Sequence, residues 1–268
     1  MDQILINELG DELYQAMLNR EAVSPLTERG FAIGIDDAYH ISLRMLERRL
    51  AAGEKIIGKK IGVTSKAVQN MLGVYQPDFG YLTDAMVFNS GEAVPISQRL
   101  MQPKAEGEIA FILKKDLIGP GVTNADVLAA TECVMPCFEI VDSRIRDWKI
   151  KIEDTVADNA SCGLFVLGDT AVSPRQVDLV TCGMLVEKNG QLLSTGACRG
   201  PGFAGQLRGL AGQHLGPLRY PAEGWRSDPL RLAGTPGAGQ GRRLHARRDR
   251  RHRQRLRALH LIEQRTNP

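Results

Sequence analysis

The feature that most constrains the fold is a change in hydrophobic spacing near residue 54. Before it, Tyr39, Leu43, Leu46 and Leu50 recur at helical spacing, and residues 9–18 show the same pattern. After it, apolar runs are short, rich in β-branched residues and punctuated by glycine. These runs are residues 56–58, 61–63, 86–88, 109–113, 138–141, 164–167 and 184–186, and a further helix capped by Asn124 is predicted over 124–133. The order predicts an α+β protein, with a small helical subdomain at 1–54 and a β-rich catalytic domain at 55–197.

Residues 198–268 have a different character. No valine follows Val186 and no lysine follows Lys188, and Ile262 is the only isoleucine after residue 196. Arginine is concentrated in residues 242–257. Because β-branched residues are so scarce, this segment cannot easily supply the strands that a β-rich domain needs to close. We interpret it as a frameshift product, since GC-rich codons read out of register give such Arg/Gly/Pro/Ala mixtures. We therefore predict an aberrant, poorly ordered tail, an incomplete catalytic domain, and a chain that folds poorly and has little activity.

Composition excludes several classes of protein. The chain has 43% hydrophobic and 24% charged residues, which is ordinary for a globular protein, and its net charge of +3 hides a mildly acidic part before residue 198. Neither a signal peptide nor an apolar run long enough to cross a bilayer is present, so no membrane association is expected. Five cysteines without CxxC spacing favour free thiols and a cytoplasmic location.

Two acids begin an apolar run at residues 103–113. Glu106 and Glu108 are two residues apart, so in a strand their side chains project from the same face. Two anions so close raise each other's pKa unless a cation or a shared proton neutralises them. Glu139, in the second strand-like run at 134–141, could complete a cluster of three carboxylates. Such a cluster is typical of a site for a hard divalent ion, Mg²⁺ or Mn²⁺.

Other chemistries find less support. Lys60 lies between apolar residues in a glycine-bounded run, so its ammonium is expected to point into the site, whereas Lys59 is expected at the surface. His40 is the only histidine before the tail and lies in a helical pattern, so a Ser-His-Asp triad is not supported. Neither a GxGxxG nor a Walker-type loop occurs, which argues against nicotinamide or ATP chemistry.

Five segments together carry a family resemblance. They are Gly58-Lys59-Lys60-Ile61-Gly62-Val63-Thr64, Gln76-Pro77-Asp78-Phe79-Gly80, Glu106-Gly107-Glu108, Glu139-Ile140-Val141-Asp142-Ser143-Arg144-Ile145 and Asp158-Asn159-Ala160-Ser161-Cys162-Gly163. Up to about residue 196, their order and spacing resemble the 2-hydroxypenta-2,4-dienoate hydratases of aromatic meta-cleavage pathways, relatives of fumarylacetoacetate hydrolase.

The resemblance implies a role for each matching residue. Glu106, Glu108 and Glu139 become the metal ligands, and Lys60 holds the substrate carboxylate or takes part in proton transfer. Asp78, in the turn after Pro77, becomes the acid that positions water or moves a proton, and Ser161 donates a hydrogen bond to the substrate carboxylate. The implied reaction is the hydration of a small 2-hydroxydienoate to 4-hydroxy-2-oxopentanoate by a β-rich domain like the fumarylacetoacetase C-terminal domain.

Two alternatives stay open. The 4-oxalocrotonate decarboxylases share the acidic triad and the Ala-Asp-Asn-Ala-Ser run, although residues 142–148 look more like the hydratase branch. A nucleic-acid-binding role through the basic tail is disfavoured, because Phe203, Tyr220 and Trp225 all precede its arginine-dense part. The resemblance also implies a homo-oligomer, in possible association with other meta-pathway enzymes.

Overall fold

The computed structural model describes residues 1–63, 69–70, 77–118, 121–197 and 261–262. Nearly all of the predicted aberrant tail, 198–268, therefore lies outside the described residues, and the frameshift stays a prediction. In the described part of the chain, no helix is both long and apolar enough to span a bilayer.

Two long helices open the chain. Helix α1 spans Gln3–Asn19 and begins after Asp2, whose carboxylate accepts a hydrogen bond from the Leu5 amide at 2.8 Å. Helix α2 spans Ile35–Ala51. Their buried residues form one core that also includes Ile145, Val156 and Ala157 from much later in the chain. The helices thus pack against residues of the predicted β-rich domain, and the division at residue 54 stays a prediction about domains.

Three further α-helices with described bounds are short, and the described strands form three sheets. The helices are α3 (Ile96–Arg99), α4 (Asn124–Ala130) and α5 (Ile152–Ala157). The strands are β1 (Ile56–Gly62), β2 (Asp78–Thr83), β3 (Val87–Asn89), β4 (Lys104–Leu113), β5 (Thr131–Val141), β6 (Leu164–Leu167), β7 (Gly183–Lys188), β8 (Gln191–Ala197) and β9 (Leu261–Ile262). Within the described residues, β1 pairs with β2, a central sheet has the order β3-β6-β5-β4, and the third has the order β8-β7-β9.

The α+β prediction is confirmed, with local corrections. Every predicted apolar run overlaps a strand, but β2, β8 and β9 were not predicted, nor were the short helices α3 and α5. Helix α4 is capped by Thr123, whose side chain accepts a hydrogen bond from the Asp126 amide, and not by Asn124. The helix also ends at Ala130, because Thr131 already belongs to β5, the longest strand of the central sheet.

The central sheet separates an apolar face from a charged one. Phe138 and Ile140 of β5 face a core with Met86 and Leu164. On β4, a Cβ at Gly107 would lie 2.5 Å from Met184 Sδ, so β7 packs closely against this same face. By strand alternation, the residues next to Gly107 on β4 project from the opposite face. That opposite face carries the acids.

Candidate active site

Register places the three predicted acidic ligands side by side. In the antiparallel β4–β5 pair, Glu106 lies directly opposite Glu139, and Glu108 lies opposite Cys137. Burial, followed by the charges of Glu139 and Glu106, raises the pKa of Glu108 to about 7. Burial also raises the pKa of Glu139, although Lys60 opposes that shift. The prediction that Glu106 and Glu108 share a face is met by the strand geometry, and long-range pairing adds Glu139.

Lys60 supplies positive charge to this acidic face. Its Nζ lies 3.4 Å from Glu139 Oε1, and the two side chains are 14% and 12% exposed. Burial alone would lower the pKa of Lys60, but the negative groups around it, led by Glu139, outweigh burial and raise that pKa. The ammonium therefore points into the site, as predicted.

Asp78 approaches Lys60 from the neighbouring strand. We predicted that Asp78 lies in a turn, and this was wrong. Asp78 is the first residue of β2 and lies opposite Gly62 of β1. A Cβ at Gly62 would collide with Asp78 Oδ1 and lie 3.4 Å from Lys60 Nζ, so both groups flank the same backbone position. Burial raises the pKa of Asp78, and the Lys60 charge partly offsets that effect. A buried carboxyl with a raised pKa is suited to hold or move a proton.

Ser161 is presented by an unusual turn before β6. Asn159, Ala160 and Ser161 all have left-handed backbone, with φ of 52°. Such conformations cost free energy in residues other than glycine and persist only where the surroundings enforce them. Here Asn159 Oδ1 accepts a hydrogen bond from the Tyr81 amide at 2.7 Å, and its Nδ2 donates to the Tyr81 carbonyl at 3.0 Å. This side chain therefore ties the turn to β2.

A buried ion pair holds the other side of the turn. The Arg144 guanidinium donates to the Asp158 carboxylate, to the Asp158 carbonyl at 2.6 Å and to the Cys162 carbonyl at 2.6 Å. Arg144 is 2% exposed and Asp158 is completely buried. Buried charges are tolerated only when they are paired and hydrogen-bonded, as these are. The pair thus fixes both ends of the segment that carries Ser161.

Three of the predicted site residues share a further property. Asp78 Oδ1, Glu139 Oε1 and Ser161 Oγ are buried without a hydrogen-bond partner in the described part of the protein. Glu139 Oε1 is paired with the Lys60 ammonium, so the unpaired atoms are those of Asp78 and Ser161; buried polar atoms are nearly always paired, and these two therefore indicate room for a ligand.

The three acids have the chemistry of metal ligands, but their side chains are not arranged around a common point. Across the described ranges, no group of three or more His, Cys, Asp or Glu side chains is arranged to hold a metal ion as it stands. The Lys60 ammonium interacts with Glu139. The donor set nevertheless fits a hard divalent ion, because all three groups are carboxylates on one face of the sheet. The ligand assignment stays a prediction.

The prediction for Lys59 was wrong. Its ammonium is half-buried, 4.8 Å from the centroid of the Phe79 ring and 5.0 Å from that of Tyr81. Burial lowers the pKa of Lys59 to about 8. The aromatic residues of β2 explain the error, since this strand was not predicted.

Several residues near the site were not singled out from the sequence. Cys137 and Cys162 are buried free thiols whose pKa values are raised by burial, and nearby acids contribute in both cases. Asn159 and the Arg144–Asp158 pair shape the Ser161 turn. These last three residues lie within the segments that carry the family resemblance, which was the one available signal for them.

Comparisons with known proteins agree with this architecture. A 2-hydroxypent-2,4-dienoate hydratase of Pseudomonas putida is 87% identical over 197 residues, covering 74% of this chain and 89% of that protein. A 2-hydroxyhexa-2,4-dienoate hydratase of Comamonas testosteroni is 59% identical, covering 73% of this chain and 74% of that protein. No family model matches the chain.

A solved structure supports the fold independently. The 4-oxalocrotonate decarboxylase of Pseudomonas putida G7, complexed with magnesium and adipate, superposes with a TM-score of 0.73 at 34% identity. The match covers 78% of this chain and 81% of that one. The fold and sequence therefore define a protein of the hydratase and decarboxylase group of the fumarylacetoacetate hydrolase superfamily. Within that group, the chain belongs to the 2-hydroxypenta-2,4-dienoate hydratase family, and it is an enzyme of the hydro-lyase type.

Proposed function

We propose that this enzyme hydrates 2-hydroxypenta-2,4-dienoate to 4-hydroxy-2-oxopentanoate, with Mg²⁺ or Mn²⁺, in aromatic meta-cleavage catabolism in the cytoplasm. The observation that carries the proposal is the buried Lys60 ammonium, which pairs with Glu139 and lies beside Asp78, whose Oδ1 is buried without a hydrogen bond, as is Ser161 Oγ. The Lys60 ammonium and the Ser161 hydroxyl can donate to the carboxylate of a small anionic substrate, and the Asp78 carboxylate can accept from its hydroxyl group or from water. The names of the two hydratase relatives support the substrate class.

The predicted metal ligands would hold the ion at the acidic face. Glu106, Glu108 and Glu139 supply three hard oxygen donors, and the decarboxylase relative has been solved with magnesium and also with calcium. When bound, a divalent ion acts as a Lewis acid that stabilises the negative charge developing on the substrate's 2-oxygen.

The protein's own groups bind and orient the substrate. The Lys60 ammonium remains charged at neutral pH because its pKa is raised, so it attracts the substrate carboxylate. Ser161 Oγ, which lacks a partner among the described residues, donates a hydrogen bond to the same carboxylate. Ser161 is on fixed backbone, since the Asn159 and Arg144 contacts hold its turn in place. Fixed donors stabilise developing charge at little reorganisation cost.

Asp78 is the group proposed to manage the proton. The dienol loses its 2-hydroxyl proton and gains one at C5, which gives a conjugated 2-oxo-3-enoate. Water then adds at C4, so that one water molecule is consumed and no redox change occurs. Asp78 is buried beside Lys60 with one free carboxylate oxygen, which suits it to carry this proton or to orient the water.

A matched pair of variants tests the proposal. Glu139→Gln removes a proposed ligand, whereas Glu132→Gln neutralises an exposed glutamate of the same strand that pairs with Lys114. With Mg²⁺ present, loss of the dienol's ultraviolet absorbance should slow at least about 100-fold in E139Q and stay near the parent rate in E132Q.

A readout independent of turnover accompanies the kinetics. Mg²⁺ should raise the thermal unfolding midpoint of the parent and of E132Q, because a ligand that binds only the folded state stabilises it, and should leave E139Q unchanged. Full hydratase activity in E139Q, or equal Mg²⁺ stabilisation of both variants, would refute the metal assignment.

Decarboxylation of a 2-oxo diacid is the second candidate, favoured by the structural match to 4-oxalocrotonate decarboxylase. Measuring CO₂ release from 4-oxalocrotonate beside water addition to the dienoate separates the two reactions.

A homo-oligomer and association with other enzymes of the pathway are part of the same proposal. Nucleic-acid binding through the tail concerns residues outside those described and is not proposed.

A further inference from the structure

Lys104 is a second cation on the acidic face, and it lies where that face opens to solvent. It is the first residue of β4, so strand alternation places its side chain on the same face as Glu106 and Glu108. Lys104 and Glu106 are exposed, whereas Glu108 is partly buried, so the face becomes accessible toward the start of the strand. Among the residues that the structure describes, Lys104 forms no ion pair, whereas Lys60 is engaged by Glu139. Its charge is therefore available to an incoming anion.

An aromatic ring fixes the Lys104 ammonium. Lys104 Nζ lies 3.9 Å from the centroid of the Trp148 ring. A cation at this distance is attracted by the electron-rich face of an indole, and the contact restricts a side chain that would otherwise move freely in solvent. Because the ring carries no net charge, the ammonium keeps its own and can still bind an anion on its open side.

A strained turn holds the Trp148 ring in place. Asp147 and Trp148 both have left-handed backbone, with φ of 58° and 55°. This conformation is rare in a bulky residue such as tryptophan, and it persists only where the surroundings enforce it. Gln102 supplies that constraint, since its side-chain oxygen accepts from the Asp147 amide at 2.7 Å and its carbonyl accepts from Trp148 Nε1 at 3.0 Å. Gln102 lies two residues before Lys104, so one short segment positions both partners.

We propose that Lys104 and Trp148 form the entrance for the substrate anion, where Lys104 attracts the carboxylate and Trp148 positions the ammonium. The inference rests on the proposed function and adds a group that recognises its substrate. A face that carries three glutamates repels a carboxylate, and an exposed cation at its open end raises the local concentration of the anion. Lys60 then receives the carboxylate deeper in the site.

Coulomb's law gives the size of the expected effect. Two residues along a strand span about 7 Å, and one unit charge at that distance in water changes a binding constant by about threefold. At low ionic strength, Lys104→Gln should therefore weaken binding by about threefold and Lys104→Glu by about sevenfold. Lys114→Gln is the matched control, because this exposed lysine follows the other end of β4, about 30 Å along the strand.

Trp148 is itself the reporter of binding. The chain has two tryptophans, Trp148 and Trp225, so Trp225→Phe leaves Trp148 as the single emitter. The full chain with this substitution, in the presence of Mg²⁺, is titrated with 2-oxopentanoate, a saturated 2-oxo acid that cannot be hydrated in this way. Tryptophan emission is followed at about 0.01 M and at about 1 M salt, and dienoate hydration is measured in parallel.

At low salt the half-saturating concentration of 2-oxopentanoate should rise by about threefold in K104Q and about sevenfold in K104E, and should stay near the parent value in K114Q. These differences should vanish at high salt, where the screening length falls to about 3 Å. In turnover the loss should appear in KM rather than in kcat, since Lys104 lies at the entrance. Trp148→Leu should show the same kind of loss in KM, and Trp148→Phe, which keeps a ring, should recover it.

The other outcomes separate this inference from the proposed function. Equal half-saturation in K104E and K114Q at low salt, or a loss that persists at high salt, would overturn the role of Lys104. Normal dienoate hydration with the same KM in K104E as in the parent would overturn it and leave the proposed function standing. Lys104-dependent binding of 2-oxopentanoate by a chain that does not hydrate the dienoate would support the inference while the proposed function fails. An emission that 2-oxopentanoate does not change, together with no turnover, would overturn both.

Discussion

Gly80 permits the close approach on which the Ser161 turn depends. A Cβ added at this position of β2 would lie 2.6 Å from Cys162 Sγ and nearer still to the Asn159 carbonyl oxygen. The second of these atoms is backbone, so it cannot move aside by a change of rotamer. In Gly80→Ala the turn must instead shift away from β2, and the paired hydrogen bonds between Asn159 and Tyr81 lengthen or break.

The size of the effect follows from these contacts. Overpacking a tight site costs about 1–3 kcal/mol, and each hydrogen bond lost contributes about 0.5–1.5 kcal/mol. We expect the free energy of unfolding of G80A to fall by about 2–4 kcal/mol. A displacement of Ser161 by about 1 Å should lower kcat by about 100-fold relative to the parent chain.

Gly58→Ala is the matched control. Gly58 lies on β1 of the same two-stranded sheet, and the nearest atom to its added Cβ is Leu82 Cδ1 at 3.8 Å, an ordinary contact. Urea unfolding and dienol hydration should therefore be nearly unchanged in G58A. If G80A matched G58A in both measurements, the argument that the close approach at Gly80 positions Ser161 would be refuted.

Three further predictions concern the scaffold, the pH dependence and the tail. Arg144→Met leaves the Asp158 carboxylate buried without its cationic partner, so the free energy of unfolding measured in urea should fall by about 3–5 kcal/mol. A fall of less than about 1 kcal/mol would contradict this account of the pair. Hydrogen bonds from Arg48 and Arg44 lower the pKa of Asp11 below its ordinary 3.8, so this ion pair stabilises the fold above that pH and the stabilisation is lost as the pH falls further. Asp11→Asn should thus lower the free energy of unfolding by about 1 kcal/mol at pH 6, and this difference from the parent should shrink as the pH falls. A difference that does not change with pH would refute the link between Asp11 protonation and stability. Sequencing the gene around codon 197 should reveal a register change that restores a Val/Ile-rich ending, and soluble expression with normal metal-dependent turnover would contradict the predicted poor folding.

Local pattern was enough to predict much of the site. Strand alternation alone places Glu106 and Glu108 on one face, and a two-residue period is a property of the backbone that needs no tertiary information. The two long helices, α4 and most strands were likewise evident from the spacing of apolar residues. Strand β8 was missed because its residues are exposed, so no alternation of buried and exposed positions marks it. Strand β2 was missed because a proline and an aspartate at its start resemble a turn.

What the sequence by itself determined is therefore which residues share a face and which chemistry they carry. Only the tertiary structure decided which faces meet. Glu106 is opposite Glu139, and Glu108 opposite Cys137, because β4 and β5 pair in one particular register. Register depends on burying the apolar side of the sheet beneath Phe138, and the effect of that burial cannot be read from spacing across a loop. The approach of Asn159 to Tyr81 depends in the same way on long-range packing, and it fixes the turn that carries Ser161.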